Sequence, residues 1–112
     1  MRKGLEMVLA RLKNKAFAKL YLRLIKAEVK ETTNTMKPLL NEVYLTFGEN
    51  KINNAIKKIY INGKNIICPV SGNEGQILRA LEYGTGKTKA LHIISIATRK
   101  ILKETGNYEF II

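Results

Sequence analysis

The sequence predicts an α+β fold in which a long N-terminal helix and a C-terminal helix pack on a small antiparallel sheet built around a β-hairpin. Two observations predict it. Apolar residues recur every three or four positions in residues 1–31 and again in residues 89–104, as amphipathic helices require. Between these segments the period changes to two around Asn62-Gly63, the strongest short sequence signal for a hairpin.

Size and composition favour one globular domain over residues 1–112. The chain has 112 residues, of which 46% are hydrophobic, so it is too apolar for an extended basic tail. No apolar run approaches the roughly 20 residues of a membrane span, and we therefore expect no membrane partner.

The cysteine and histidine content limits the chemistry that the chain can perform. Cys68 is the only cysteine and His92 the only histidine, so neither an internal disulfide nor a zinc site of about four ligands can form within the chain. We expect a reducing compartment, no metal and no cofactor.

The first predicted helix, residues 1–31, is amphipathic and strongly basic. Residues 1–30 contain nine bases and two glutamates, which is +7 of the total net charge of +11. A wide apolar arc exceeds what a lone surface helix needs. Beside that arc runs a set of basic positions that we call the basic stripe: Arg11, Lys15, Lys19, Arg23, Lys26 and Lys30.

Two interpretations of the basic stripe stay open. It is either a solvated helix face or a surface for a polyanion such as nucleic acid. The wide apolar arc favours an assembled protein whose helix packs against a neighbouring copy. The sequence contains no zinc-finger spacing, basic zipper or aromatic RNA-binding signature.

The middle of the chain divides into shorter elements. Glu31–Thr35 predicts a helix break, because Thr and Asn side chains compete for backbone hydrogen bonds. Pro38 fixes a turn or opens a short helix. Residues 41–54 are ambiguous, since Val43, Leu45 and Phe47 alternate as a strand would.

The hairpin is predicted over residues 55–70, with β-branched runs at 56–61 and 66–70. A helical pair follows over residues 76–105: one helix at 76–83, a Gly-rich turn at 84–88, and a second helix at 89–104 that ends before Gly106. Residues 108–112 form a candidate closing strand.

Catalytic interpretations of this sequence are weak. Gly86-Lys87-Thr88 ends like a P-loop, but Leu81 occupies the position of the first glycine and a helix precedes the turn. His92 and Ser95 lie three apart on the predicted last helix, with no third group evident to orient the imidazole. We predict that the protein is not an enzyme and has no catalytic residue. A nucleotide-binding enzyme is a remote third class.

Residues 81–97 carry a resemblance to a known family. Glu82, Tyr83, Gly84 and Thr85 form an acidic-aromatic-Gly-Thr run, with Ala90 and Ala97 following. This segment resembles the head–tail joining, or tail completion, proteins of long-tailed bacteriophages and prophages. His92-Ile93 replaces the Pro-Phe of that family and Ile96 replaces a second proline. The stretch 32–40 also lacks the Thr-Gly that the family shows after its first helix.

The resemblance implies a structural virion component, a neck or connector protein that joins the head to the tail. It implies a ring of identical subunits, a hexamer, that contacts adjacent neck and tail proteins, with genomic DNA passing through the channel. The protein would be located in the virion, and in the host cytoplasm during assembly. The alternative function is a small basic nucleic-acid-binding protein that acts without a ring.

The candidate interface combines the basic stripe with four residues of the resemblance: Glu82, Tyr83, Gly84 and Thr85. Glu82 falls at the C-terminal end of a predicted helix, where the helix dipole disfavours an anion. We therefore expect either a basic partner, such as Lys87, Lys89 or a residue of a neighbouring subunit, or exposure to solvent.

Overall fold

The computed structural model describes residues 6–106 and confirms the α+β class. The candidate strand at 108–112 lies outside the described residues. Within residues 6–106, three strands and five α-helices follow one another, with a 3₁₀ helix at Lys37–Leu40. In chain order they are β1 (Glu6–Arg11), α1 (Ala18–Thr35), α2 (Asn41–Phe47), α3 (Glu49–Ile56), β2 (Tyr60–Asn62), β3 (Asn65–Pro69), α4 (Gly72–Tyr83) and α5 (Ile93–Thr105).

The three strands form an antiparallel sheet in the order β1-β3-β2. Ile66, Ile67 and Cys68 are buried in succession, because β3 is the central strand and is covered on both faces. Asn62 pairs with Asn65, so the loop between β2 and β3 consists of Gly63 and Lys64. Gly63 has φ +65°, which suits the first position of a type II′ turn.

The prediction of one N-terminal helix over residues 1–31 is wrong in its first half. Residues 6–11 form β1, and α1 begins only at Ala18. The leucines of this segment have helical spacing, but β3 needs a second neighbour and β1 supplies it, from Glu6 opposite Pro69 to Arg11 opposite Asn65. Tertiary pairing thus overrides local helix propensity.

The predicted helix break at Glu31–Thr35 is also wrong, since α1 continues through Thr35. The threonine hydroxyls donate within the helix instead of competing with it: Thr33 Oγ1 to the carbonyl of Val29 at 2.7 Å, and Thr32 Oγ1 to Glu28 Oε2 at 3.2 Å. Because both hydroxyls find acceptors in the preceding turn, one a side chain and one a backbone carbonyl, Thr32 and Thr33 remain helical.

Three further boundaries differ from prediction. The strand expected to begin at Ile56 begins at Tyr60, because Ile52, Ala55 and Ile56 form the buried face of α3. Residues 41–47, which the sequence left ambiguous, are helical. Helix α4 starts at Gly72 instead of residue 76, and α5 starts at Ile93 instead of residue 89.

The core lies between the sheet and the helices, with α1 and α5 packed against each other. At their exposed margin Lys100 Nζ lies 3.2 Å from Glu28 Oε2, and this hydrogen bond raises the pKa of Lys100. Fully burying one Leu or Ile side chain stabilises a fold by about 1.5–3 kcal/mol. The largest fully buried apolar side chains are Leu12, Ile25, Val29, Leu40, Ile52, Ile59, Ile66, Leu78, Leu81, Ile93, Ile94 and Leu102.

Candidate functional site

The junction between α4 and α5 is organised by a buried carboxylate. Glu82, in the last turn of α4, is only 2% exposed. Its Oε1 accepts the backbone N–H of Ser95 at 2.9 Å, and its Oε2 accepts the Ser95 hydroxyl. Ser95 is the third residue of α5, and its amide is one of the donors that a helix start leaves unpaired. The carboxylate therefore caps α5 from another helix.

His92 closes the same junction from the other side. It immediately precedes α5 in a left-handed conformation (φ 52°, ψ 39°), and its backbone N–H donates to the Glu82 carbonyl at 3.0 Å. Its Nδ1 lies 3.3 Å from Glu82 Oε2, while 52% of the side chain stays exposed. The Tyr83 ring meets the imidazole edge-on at 6.2 Å. We call Glu82, His92 and Ser95 the capping cluster.

The expected partners of Glu82 require correction. The carboxylate is bound by Ser95 and His92 and not by Lys87 or Lys89, and it is not exposed to solvent. The dipole of α5 supplies the positive end that the carboxylate needs, and this compensates its position at the end of α4. Glu82 is therefore buried within the chain and is not part of its exposed surface.

The geometry of the capping cluster differs from that of a serine nucleophile. In a catalytic triad the imidazole lies between the hydroxyl and the carboxylate and takes the hydroxyl proton. Here the carboxylate of Glu82 lies between Ser95 and His92, and the Ser95 hydroxyl donates to it. This order ties two helices together, and the hydroxyl donates to the carboxylate instead of to the imidazole.

The turn at 84–88 is closed by its own hydrogen bonds. The Thr85 N–H donates to the Thr88 carbonyl at 2.9 Å, and Thr85 Oγ1 accepts the N–H groups of Lys87 and Thr88, each at 3.1 Å. A P-loop needs such amides for phosphate. Because these three are occupied and α4 precedes the turn, the structure does not support the nucleotide-binding interpretation.

Gly84 and Tyr83 complete the segment that carries the resemblance. Gly84 adopts φ +77° and ψ −169°, and a Cβ atom there would lie 2.2 Å from the Thr88 carbonyl oxygen. Tyr83 is 50% exposed, and its hydroxyl lies 2.8 Å from Met7 Sδ at the start of β1. Tyr83 and Thr85 remain surface residues, whereas Gly84 serves the turn itself.

The basic stripe is split among three elements, which corrects its prediction as one helix face. Arg11 lies in β1 and Lys15 in the turn before α1. The spacing of the other four, Lys19, Arg23, Lys26 and Lys30, keeps them on one side of α1. Among these, Lys26 is partly buried and donates to the Lys57 carbonyl at 2.9 Å, and burial lowers its pKa.

The structure contains a groove beside Phe17 that was not predicted from the sequence. Asn14 Oδ1 accepts the Ala16 N–H at 2.8 Å, and the turn that it forms places Phe17 at φ 64° with 70% of its side chain exposed. The groove, of about 650 Å³, lies between the start of α1 and the β2–β3 loop. A sequence signal existed in Asn14, which favours turns and interrupts the helical pattern.

Cys68 gives a direct test of burial in β3. Burial and, to a smaller extent, the Glu82 charge raise the pKa of its thiol from 9.0 to about 12. At pH 8 we expect Ellman's reagent to label the native protein about a thousandfold more slowly than an exposed thiol, because the thiolate is the reactive form. The urea-unfolded protein should react fully. Rapid stoichiometric labelling of the native protein would contradict this assignment.

The raised pKa of Cys68 also sets a pH window for stability. The pKa of the Cys68 thiol is higher in the folded protein than in the unfolded chain. The folded state is therefore not penalised by ionisation of this thiol below about pH 9, and the free energy of unfolding decreases as the pH rises from there towards 12.

Comparison with known proteins finds no matching family model, curated protein or solved structure. Within residues 6–106, no group of three or more His, Cys, Asp or Glu side chains is placed to hold a metal ion. None of the helices in that range is both long and apolar enough to cross a bilayer. The family resemblance therefore rests on the residues of the sequence alone.

Proposed function

We propose that this protein is a structural component of a tailed phage or prophage: a neck protein that joins head to tail as one subunit of a ring. The proposal is carried by the structural role of three residues in the segment that resembles the neck family. Glu82, Gly84 and Thr85 build the joint between α4 and α5. Such a joint suits a protein whose function is to hold shape in an assembly.

The surface supports an assembled state. A closed ring needs heterologous contacts, in which one patch meets a different patch on the next copy. The outer side of α1 exposes Leu20 and Leu24 in addition to Phe17, and Tyr83 and Ile96 are exposed near the α5 start. These apolar positions and the basic residues of α1 are available for contacts with identical subunits and with adjacent neck and tail proteins.

Native mass spectrometry of the purified protein and electron microscopy of particles test this function. We expect rings of identical subunits, six by the resemblance, and density for the protein at the neck of the particle. A protein that stays monomeric in solution and is missing from particles would reject the proposal.

A second function, nucleic-acid binding without a ring, is favoured by the exposed bases of α1. Lys19, Arg23 and Lys30 share one side of the helix, with Lys15 in the preceding turn. If these four contact phosphates, log affinity for duplex DNA should fall against log salt concentration with a slope of about −3.6. Fluorescence anisotropy over a salt series measures this slope.

The matched control for this titration is a triple variant that removes three positive charges from exposed lysines outside α1. Changing Lys19, Arg23 and Lys30 to Gln should reduce the magnitude of the slope by about 3, whereas the change of three other exposed lysines should reduce it by less than about 1. Equal effects of the two triple variants would show that binding follows net charge only. The control lysines are Lys51, Lys87 and Lys89.

A further inference from the structure

The groove at the start of α1 combines an apolar floor with a basic rim. Phe17, Ala18, Leu22 and Ile61 supply apolar surface, and Lys15 and Lys19 stand at the margin. Its volume of about 650 Å³ lies within the range of about 300–1,000 Å³ that is typical of binding pockets. An apolar floor is not what a phosphate backbone needs, so the groove suits a peptide segment with apolar side chains and negative charge.

The Phe17 side chain buries little of its surface within the isolated chain. Its ring is 70% exposed, and its positive φ is a conformation that bulky L-residues rarely adopt. The turn that imposes this conformation is held by Asn14 and by the Ala18 N–H, which donates to the Lys15 carbonyl at 3.0 Å. Strained backbone of this kind is found at binding sites more often than elsewhere. Phe17 is thus placed to act as an anchor for a partner.

The chain itself contains a segment of complementary chemistry. Residues 107–112, Asn-Tyr-Glu-Phe-Ile-Ile, follow α5 and lie outside the described residues. They include two aromatic and two aliphatic side chains, one carboxylate at Glu109 and no base. A segment of six residues spans up to about 20 Å when extended. It offers what the groove lacks: apolar side chains for the floor and a negative charge for Lys15 and Lys19.

We propose that the groove of one copy binds residues 107–112 of a neighbouring copy. The inference rests on the proposed ring, because groove and segment are different patches and their contact is heterologous, as ring closure requires. On this proposal we expect Phe17, Leu22 and Ile61 to contact the apolar side chains of the segment, and Lys15 and Lys19 to pair with the carboxylate of Glu109. We choose a second copy as the occupant because the charge and apolar character of the segment complement those of the groove and because the proposed ring needs heterologous contacts. Docking within one chain is the competing outcome of the test.

Two variants that each disable one half of the contact test the proposal. Phe17→Asn removes the anchor but tolerates positive φ, so its fold is retained. Glu109→Lys/Phe110→Ser changes the segment only. We expect each variant alone to be monomeric by analytical ultracentrifugation, and their mixture to form dimers of one copy each, because one intact contact then remains. A mixture that stays monomeric overturns the proposal, as docking within one chain would give that result.

A peptide titration gives an independent readout. The peptide of residues 107–112 should bind the Glu109→Lys/Phe110→Ser variant, and Phe17→Asn in the same background should weaken that binding about 30-fold, as for loss of an interface hot spot. Reversing Lys15 and Lys19 to Glu should abolish binding of this peptide and favour one with Lys in place of Glu109. Equal binding by all variants overturns the proposal.

These results separate the proposal from the neck function. Rings that form equally well with the Glu109→Lys/Phe110→Ser variant overturn the docking but leave the neck function intact. Head-to-tail oligomers that depend on both halves, in a protein missing from particles, support the docking and reject the neck function.

Discussion

Replacing Glu82 with alanine is expected to lower the free energy of unfolding by about 3 kcal/mol, which for a domain of this size lowers Tm by about 12 °C. The buried carboxylate accepts both the N–H and the hydroxyl of Ser95, and hydrogen bonds to a charged acceptor contribute about 1.5–3 kcal/mol each. Its removal also leaves the first turn of α5 without its cap. Ser95 is only half-buried, so in the variant water can replace the carboxylate as the partner of its N–H and hydroxyl, which offsets part of the loss.

Chemical denaturation and calorimetry of Glu82→Ala measure this loss, and Glu31→Gln is the matched control. Glu31 is an exposed glutamate of α1, so its replacement should change stability by no more than about 0.5 kcal/mol. Glu82→Gln keeps one acceptor oxygen for the Ser95 N–H and should fall between the two. If Glu82→Ala loses less than about 1 kcal/mol, the carboxylate does not hold the α4–α5 junction.

The second large effect is expected at Gly84. Its φ of +77° and ψ of −169° belong to a region that only glycine populates. In Gly84→Ala the new Cβ would meet the Thr88 carbonyl oxygen at 2.2 Å and the Lys89 carbonyl at 2.7 Å, both backbone atoms that cannot rotate away. The turn must open and lose the bond between Thr85 and Thr88. We expect a loss of about 3–4 kcal/mol.

Gly86→Ala is the control for the same turn. Nothing lies within 4 Å of a Cβ atom at Gly86, and its φ is outside the left-handed region, so the change should alter stability by less than about 1 kcal/mol. Urea melts of the two variants give the comparison directly. Similar stabilities for Gly84→Ala and Gly86→Ala would show that the turn relaxes freely and that Gly84 has no special role.

The sequence predicted the fold class because the change from helical to alternating period is a local property. It failed at β1, because a strand is defined by its partner as much as by its own residues. The leucines at 5, 9 and 12 have helical spacing, yet the unbroken apolar run Ile66-Ile67-Cys68 already indicates a strand buried on both faces. Such a strand needs a neighbour on each side, and only one of them, β2, follows from the hairpin; β1 is the other.

The capping cluster was harder to predict, and for a different reason. Glu82 and Ser95 are thirteen residues apart and lie on separate helices, so no spacing rule relates them. The sequence placed Glu82 as an anion at an unfavourable helix end and left two outcomes open, a basic partner or exposure to solvent. The structure shows a buried carboxylate that is compensated by the start of α5. A charge identified in sequence thus does not indicate how the fold accommodates it.

The pairing of β1 with β3 has a consequence for the order in which the chain folds. Arg11 and Asn65 are neighbours in the sheet, yet 54 positions separate them, whereas β2 and β3 are joined by two residues. Closing the longer loop costs more entropy, so β1 should join last. On the ribosome β1 emerges before β3, so it has no sheet partner until β3 has been synthesised. Pulsed hydrogen exchange should find the β1 amides protected after those of β2 and β3.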